Sequence, residues 1–326
     1  MGYKFVFGIE DKPKFYSEVA IFTESLIGYL ENDDEICVVI CNDNEEISND
    51  LKKIGEIYKD KLIFLIGRNF RGNILDYTNY TINPGMNKIE ALKVVSSYCK
   101  DDDMIIHTDS DLFLYKKFNK KCIPKKDTLS WNWIIEEDSK NRKDRSPFFT
   151  YGNKELKGIW TPELLEIMGC TMEYRGGGVS GFYTGKTLKN NKVVDDCFRF
   201  AHLLHTVANI LGGESGSIKT NASDMPCYAL SLTYNEIDYD VKEIEEFTVD
   251  NISDKKIKEG SFYHYYHDIR DGLYGAFYKS KWYKQMYYEK NLLLDEDLDK
   301  YFENAVTDHE KYFFNLAIKA RNKINK

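Results

Sequence analysis

The chain has 326 residues and a formal net charge of -8. It is long enough to bury a full core without cross-links, and too acidic to take a phosphate backbone as its main partner, which needs a concentrated basic surface. Its seven cysteines, at 37, 41, 99, 122, 170, 197 and 227, are odd in number and lack metal-ligand spacing, which fits free thiols in a reducing compartment and argues against a zinc site.

Short apolar runs alternate with amphipathic segments through the first third of the chain, the order that builds a parallel βαβ sheet. Tyr3 to Ile9 predicts a first strand, Pro13 to Tyr29 a helix opened by proline, Ile36 to Cys41 a second strand, Glu45 to Tyr58 a second helix and Leu62 to Ile66 a third strand. The first apolar run is too short for a secretory leader and no run reaches membrane-spanning length, so the sequence predicts a cytoplasmic protein with no transmembrane segment.

After a polar loop rich in Asn, Gly and Tyr, the spacing of Ile89, Leu92, Val95 and Tyr98 predicts a helix over Asn87 to Tyr98. Met104 to His107 predicts the next strand, which ends in Thr108-Asp109-Ser110-Asp111 before the chain turns apolar again at Leu112. Farther on the alternation gives way to an irregular half containing Trp131, Trp133, Trp160 and the glycines Gly176 to Gly178. Lys116, Lys117, Lys120 and Lys121 form a local basic cluster, read as a solvated face. From Ser280 onward the pattern predicts amphipathic helix, with Tyr301, Phe302, Tyr312, Phe313, Leu316 and Ile318 available to dock on the core. The 24 tyrosines and 19 phenylalanines suit either sugar stacking or core packing, and composition does not choose between them.

The informative feature is the pair of carboxylates, one residue apart, at the carboxyl end of a strand, which is where open α/β sheets bind ligands. Their oxygens suit a hard divalent cation, Mg²⁺ or Mn²⁺, with open positions left for a diphosphate. Such a pair also occurs as two solvated acids in a loop or as a helix cap; the apolar strand in front of it favours the ligand reading.

An N-terminal βαβ half, a helix carrying Asn87 and Lys88, and a strand ending in Asp109-Ser110-Asp111 together resemble the nucleotide-sugar-binding half of GT-A glycosyltransferases, over roughly residues 1–275. The resemblance implies an α/β, Rossmann-related mixed central sheet flanked by helices. It implies a catalytic domain over 1–275, split into a nucleotide-sugar-binding half (1–115) and an acceptor-side half (116–275), and a C-terminal helical extension over 276–326 packed on the core. The implied activity is metal-dependent transfer of a sugar from a UDP- or GDP-linked donor to a hydroxyl of a glycan, protein or small-molecule acceptor, with no nucleic acid among the partners. On this resemblance Asp109 faces the ribose or metal and Asp111 coordinates the metal. The early strand ends, Gly8 to Asp11 with Glu10, and Cys41 to Asp43, contact the base and ribose, and Asn87 and Lys88 lie near the nucleotide.

Downstream, Gly260 to Tyr274 contains a His-x-x-His-x-x-Arg spacing similar to that of polypeptide N-acetylgalactosaminyltransferases. It implies His267 as a further metal ligand, His264 as the other candidate, and Arg270 and Tyr274 near the diphosphate, where a guanidinium fork suits phosphate oxygens. If residues 261–267 form a strand, the two histidines face opposite sides and only one reaches the metal. The plainer reading of either is a satisfied or exposed aromatic.

The run Tyr174 to Phe182 brings Gly177 and Gly178, which in the same family line the donor sugar because glycine lets the backbone approach closely; a tight turn into a strand is the alternative. It lacks the spacing of a phosphate-binding loop. Asp224, in Asn221-Ala222-Ser223-Asp224-Met225-Pro226, takes the place of the GT-A acid that deprotonates the acceptor in inverting enzymes or steadies the transition state in retaining ones. Ser-Asp ahead of a proline is equally an ordinary helix cap.

Three other readings share part of this pattern. Phosphatases of the haloacid dehalogenase type carry an Asp-x-Asp near the chain start, usually with Thr or Val where Phe113 stands here. Nucleotidyltransferases usually open with a Gly-rich basic loop, where this chain has Gly8-Ile9-Glu10-Asp11-Lys12. A glycan-binding protein that keeps the fold without activity is the third.

Overall fold

The computed structural model describes residues 1–42, 46–69, 86–115, 130–131, 149–151, 180–190, 192–212, 218–220, 231, 235, 248–249, 262–264, 291–305 and 308–326. Four strands in the first third, β1 (Tyr3–Glu10), β2 (Glu35–Cys41), β3 (Leu62–Gly67) and β4 (Met104–Thr108), run parallel to one another. Their near-continuous apolar sequences follow from burial on both faces. Between them lie α1 (Pro13–Leu26), α2 (Asn49–Ile57) and α3 (Met86–Tyr98).

Each expected element of this region occurs, with boundaries set by local chemistry. Pro13 opens α1 at its first turn, and a short 3₁₀ turn, Ile27–Tyr29, replaces its expected last residues. α2 begins at Asn49, not at Glu45, because Ser48 caps it: the hydroxyl accepts from the Leu51 N–H at 3.4 Å.

The sheet is completed by β6 (Ser130–Trp131) and β8 (Ser180–Thr184), both antiparallel to their neighbours, in the order β3-β2-β1-β4-β8-β6. Alternate side chains of a strand face opposite sides. Phe5, Phe7, Ile9, Ile36, Val38, Ile40, Met104 and Ile106 turn to one face, where they meet Val19, Phe22 and Leu26 of α1 and Leu51 and Ile54 of α2. Phe22 packs edge-on against Phe7 at 5.0 Å and Phe5 at 6.3 Å. The other face carries α3, which crosses β1, β2 and β3. Gly8 is required there, since a Cβ at this position would collide with the Asn87 carbonyl oxygen.

A second sheet, β10-β11-β5, joins distant parts of the chain: β11 (Phe262–His264) runs antiparallel to β5 (Leu112–Leu114) and parallel to β10 (Thr248–Val249). β7 (Phe149–Tyr151) and β9 (Ile218–Thr220) pair separately. α4 (Gly185–Asn190) and α5 (Val193–Gly212) follow β8, and α6 (Leu298–Glu303) and α7 (Asp308–Ile324) close the chain. α7 lies on α1 and α6, and its Phe313, Phe314, Leu316, Ala317 and Ala320 enter the same core as β5. Phe113 stacks on Tyr263 at 5.6 Å and tilts against Phe313 at 5.7 Å.

Candidate functional site

The sheet order reverses at β1. From it the chain moves outward through β2 to β3, then returns to place β4 on the other side of β1. A crevice opens outside the carboxyl ends of the strands at such a reversal. The ends of β1 and β4 and the starts of α1 and α3 therefore meet at one edge, and Asp109 and Asp111 leave β4 there.

β4 divides its last residues between the two helices. On the α3 side, Asp109 is buried and forms an ion pair with Lys88 in the first turn of α3. His107 lies on the same side: burial pulls its imidazole down to about 3, the Lys88 charge acts in the same direction, and a hydrogen bond with the Lys88 backbone opposes them. It is a neutral ring at physiological pH. Its Nε2 and the Thr108 hydroxyl are buried and have no hydrogen-bond partner among the described residues.

On the α1 side, the Ser110 hydroxyl donates to Glu18 Oε2 at 2.5 Å. Burial pushes the Glu18 carboxyl up to about 7; Asp111 and Asp109 push the same way, while Lys14 and the Ser110 bond oppose them. Three acids and two lysines thus gather around the turn between β4 and β5. Among the described residues, no three His, Cys, Asp or Glu side chains are placed to hold a metal ion; Asp109 and Asp111 offer carboxylate oxygens at one turn.

Gly8 packs against Asn87 and Ala91 inside the β1–α3 interface. Glu10 is buried and paired with Lys12. Asp11 accepts from the Tyr16 hydroxyl at 2.6 Å and the Ser48 N–H at 2.8 Å, tying the end of β1 to the starts of α1 and α2. Asn87 is buried, and its carbonyl accepts from the Cys41 thiol at 3.8 Å. His264 ends β11, its backbone in register with Leu112, the residue after Asp111; the expected strand over 261–267 is described only over Phe262–His264. Asp43, Gly177, Gly178, Asp224, His267, Arg270 and Tyr274 lie outside the described residues, as do Lys116, Lys117, Lys120 and Lys121.

Sequence reading missed Glu18, Lys14, Ser110 and His107. Glu18 is an acid next to Val19, Ala20, Ile21 and Phe22, all buried, and nothing local to α1 marks it. Its role depends on a contact with Ser110 across 92 positions.

No family model matches the sequence, and no curated protein matches it. Among solved structures the chain is similar to the galactosyltransferase LgtC in complex with donor and acceptor sugar analogs, at 11% identity and TM-score 0.49, covering 99% of this chain and 100% of that one. It is similar to the apo structure of the bifunctional glycosyltransferase WbbM at 10% identity and TM-score 0.49, covering 88% of this chain and 51% of that one, so that it spans about half of WbbM's length. A third similar structure is the glycosyltransferase GlyE of Streptococcus pneumoniae TIGR4, at 8% identity and TM-score 0.42, covering 99% of this chain and 62% of that one. The similarity is one of chain path.

Proposed function

We propose that the chain is a metal-dependent glycosyltransferase that moves a sugar from a nucleotide-diphosphate donor to an acceptor hydroxyl. The observation that carries this reading is the position of Asp109 and Asp111, at the carboxyl end of β4 and beside the reversal of strand order.

The residues present fit a hard divalent cation. Their donors are carboxylate oxygens, the ligand type that Mg²⁺ and Mn²⁺ prefer. Asp111 and Asp109 both act to raise the Glu18 carboxyl, behind burial and against Lys14, and a cation would offset their negative charge. Asp109 and Asp111 would hold it, with His264 or His267 as a further ligand. When bound, the cation offsets charge on the departing diphosphate.

The chain's own residues do the rest. Lys88 stands at the start of α3, where the helix dipole also favours an anion, and supplies a point charge for a phosphate. Glu10, at the end of β1, and Asp43 would meet the base and ribose, and Asn87 would lie near the nucleotide. Gly177 and Gly178 would line the sugar, Arg270 and Tyr274 the diphosphate, and Asp224 would take the proton from the acceptor hydroxyl or steady the transition state.

One observation favours a second reading. Lys88 already pairs with Asp109, as suits a glycan-binding protein that needs no cation. Incubation with a panel of UDP- and GDP-sugars separates the two. The transferase reading expects Mn²⁺- or Mg²⁺-dependent release of UDP or GDP, with Asp224→Asn lowering turnover while donor affinity is kept. Sugar binding without metal, and no nucleotide release from any donor, supports the second reading.

A further inference from the structure

The segment from the turn that carries the two aspartates to the end of β5 is held by α1 at two points. Ser110 donates to Glu18 at 2.5 Å, and the Leu114 N–H donates to the Ser25 hydroxyl at 2.9 Å. Ser25 is itself fixed, donating to the Phe22 carbonyl at 2.7 Å. Glu18 and Ser25 are about two helical turns apart, so one face of α1 grips the segment from Ser110 to the end of β5. Lys88 takes Asp109 from the opposite helix.

A third acid beside two others is unfavourable on its own, because like charges at close range disfavour ionisation. An aliphatic side chain at residue 18 would lie on the same helix face as Phe22, one turn on, without that penalty. What it could not do is accept the Ser110 hydroxyl, a bond strengthened when the acceptor is ionised. The bond fixes the central residue of Asp109-Ser110-Asp111, and with it the rotation of the turn that aims both carboxylates. Ligand groups aimed in advance bind a cation more tightly than groups that must be ordered on binding.

We propose that Glu18 is a positioning residue of this site, acting through Ser110 to aim Asp109 and Asp111, and that it is not itself a ligand. The consequence for metal binding rests on the function proposed above; the clamp itself does not.

The test uses the full chain and two readouts: Mn²⁺ alone, titrated by calorimetry, and metal-free amide hydrogen exchange over residues 109–114. Glu18→Ala and Ser110→Ala each weaken Mn²⁺ binding about tenfold or more, and the double variant is no worse than either single one, because both remove the same bond. Glu18→Gln, which keeps an acceptor oxygen, and Ser110→Thr, which keeps the hydroxyl, bind Mn²⁺ within a few-fold of the parent. Exchange over 109–114 speeds up in both alanine variants, while protection in β1 and β2 is unchanged.

The proposal is overturned if Glu18→Gln loses as much Mn²⁺ affinity as Glu18→Ala while Ser110→Ala loses none, which would make Glu18 a ligand. Additive losses, or unchanged exchange in the alanine variants, overturn it as well. If the parent chain binds no Mn²⁺, the metal reading fails, and the exchange readout alone decides whether the clamp exists.

Discussion

Glu18 and His107 stand on opposite sides of β4 and give the metal-free protein two opposed pH dependences. The His107 imidazole falls from 6.5 to about 3 through burial first and Lys88 second. Between those values the unfolded chain holds a proton that the folded chain lacks, so the His107 contribution is present above pH 6.5 and is lost as pH falls towards 3. Glu18 rises from 4.5 to about 7 through burial and the two aspartates. Here the folded chain holds the extra proton, so this contribution is present below pH 4.5 and is lost as pH rises through 7. Urea unfolding across pH reads both: His107→Gln flattens the acid limb below pH 6.5, and Glu18→Gln gains stability over the parent only as pH rises from 4.5 through 7. Parallel pH curves for parent and variant would contradict the assigned cause. Of this cluster the sequence exposed Asp109 and Asp111, because an apolar strand led up to them. It exposed Lys88 as the start of a helix, but not its pairing with Asp109, and it left Glu18 unmarked, since pairings of that range are made by the fold.

At the scale of elements, the site depends on how closely α3 approaches β1, and Gly8 sets that distance. Gly8→Ala forces the start of α3 outward, carrying Asn87 and Lys88 with it. The expected cost in denaturant unfolding is about 1–3 kcal/mol, together with faster amide exchange at the first turn of α3. A variant as stable as the parent would show that the interface yields freely. The elements that were legible are the long ones. β1 to β4 are apolar runs bounded by turn residues, and α3 and α7 carry helical periodicity over several turns. β5, β6, β7, β9, β10 and β11 span two or three residues each, too few to show a period, and they exist because partners distant in sequence supply their hydrogen bonds. The pairing of β11 with β5, which brings His264 beside the Asp-Ser-Asp turn, belongs to this class.

Over the whole molecule, the aromatic side chains of α7 complete the core beneath the site: Phe313 touches Phe113, Phe314 is buried, and His309 stacks on Tyr263 at 4.3 Å. The amphipathic pattern announced a docking helix, but its landing place on α1 and β5 follows only from the fold. Phe314→Ala is expected to cost about 3–5 kcal/mol and to lower the transition in which the β1–β4 sheet unfolds; a separate early transition, with the remainder unchanged, would mean that α7 folds apart from the core. Thermal unfolding reads what the acids at the tip of β4 hold, with Mn²⁺ alone, UDP or GDP alone, and each nucleotide with Mn²⁺, on the parent chain and on Asp111→Asn. A metal-held nucleotide predicts a gain for the parent with Mn²⁺ alone, a larger one with metal and nucleotide together, and none in Asp111→Asn, which keeps its fold without ligand. Equal stabilisation of the two proteins, or none in the parent with both ligands, would contradict it.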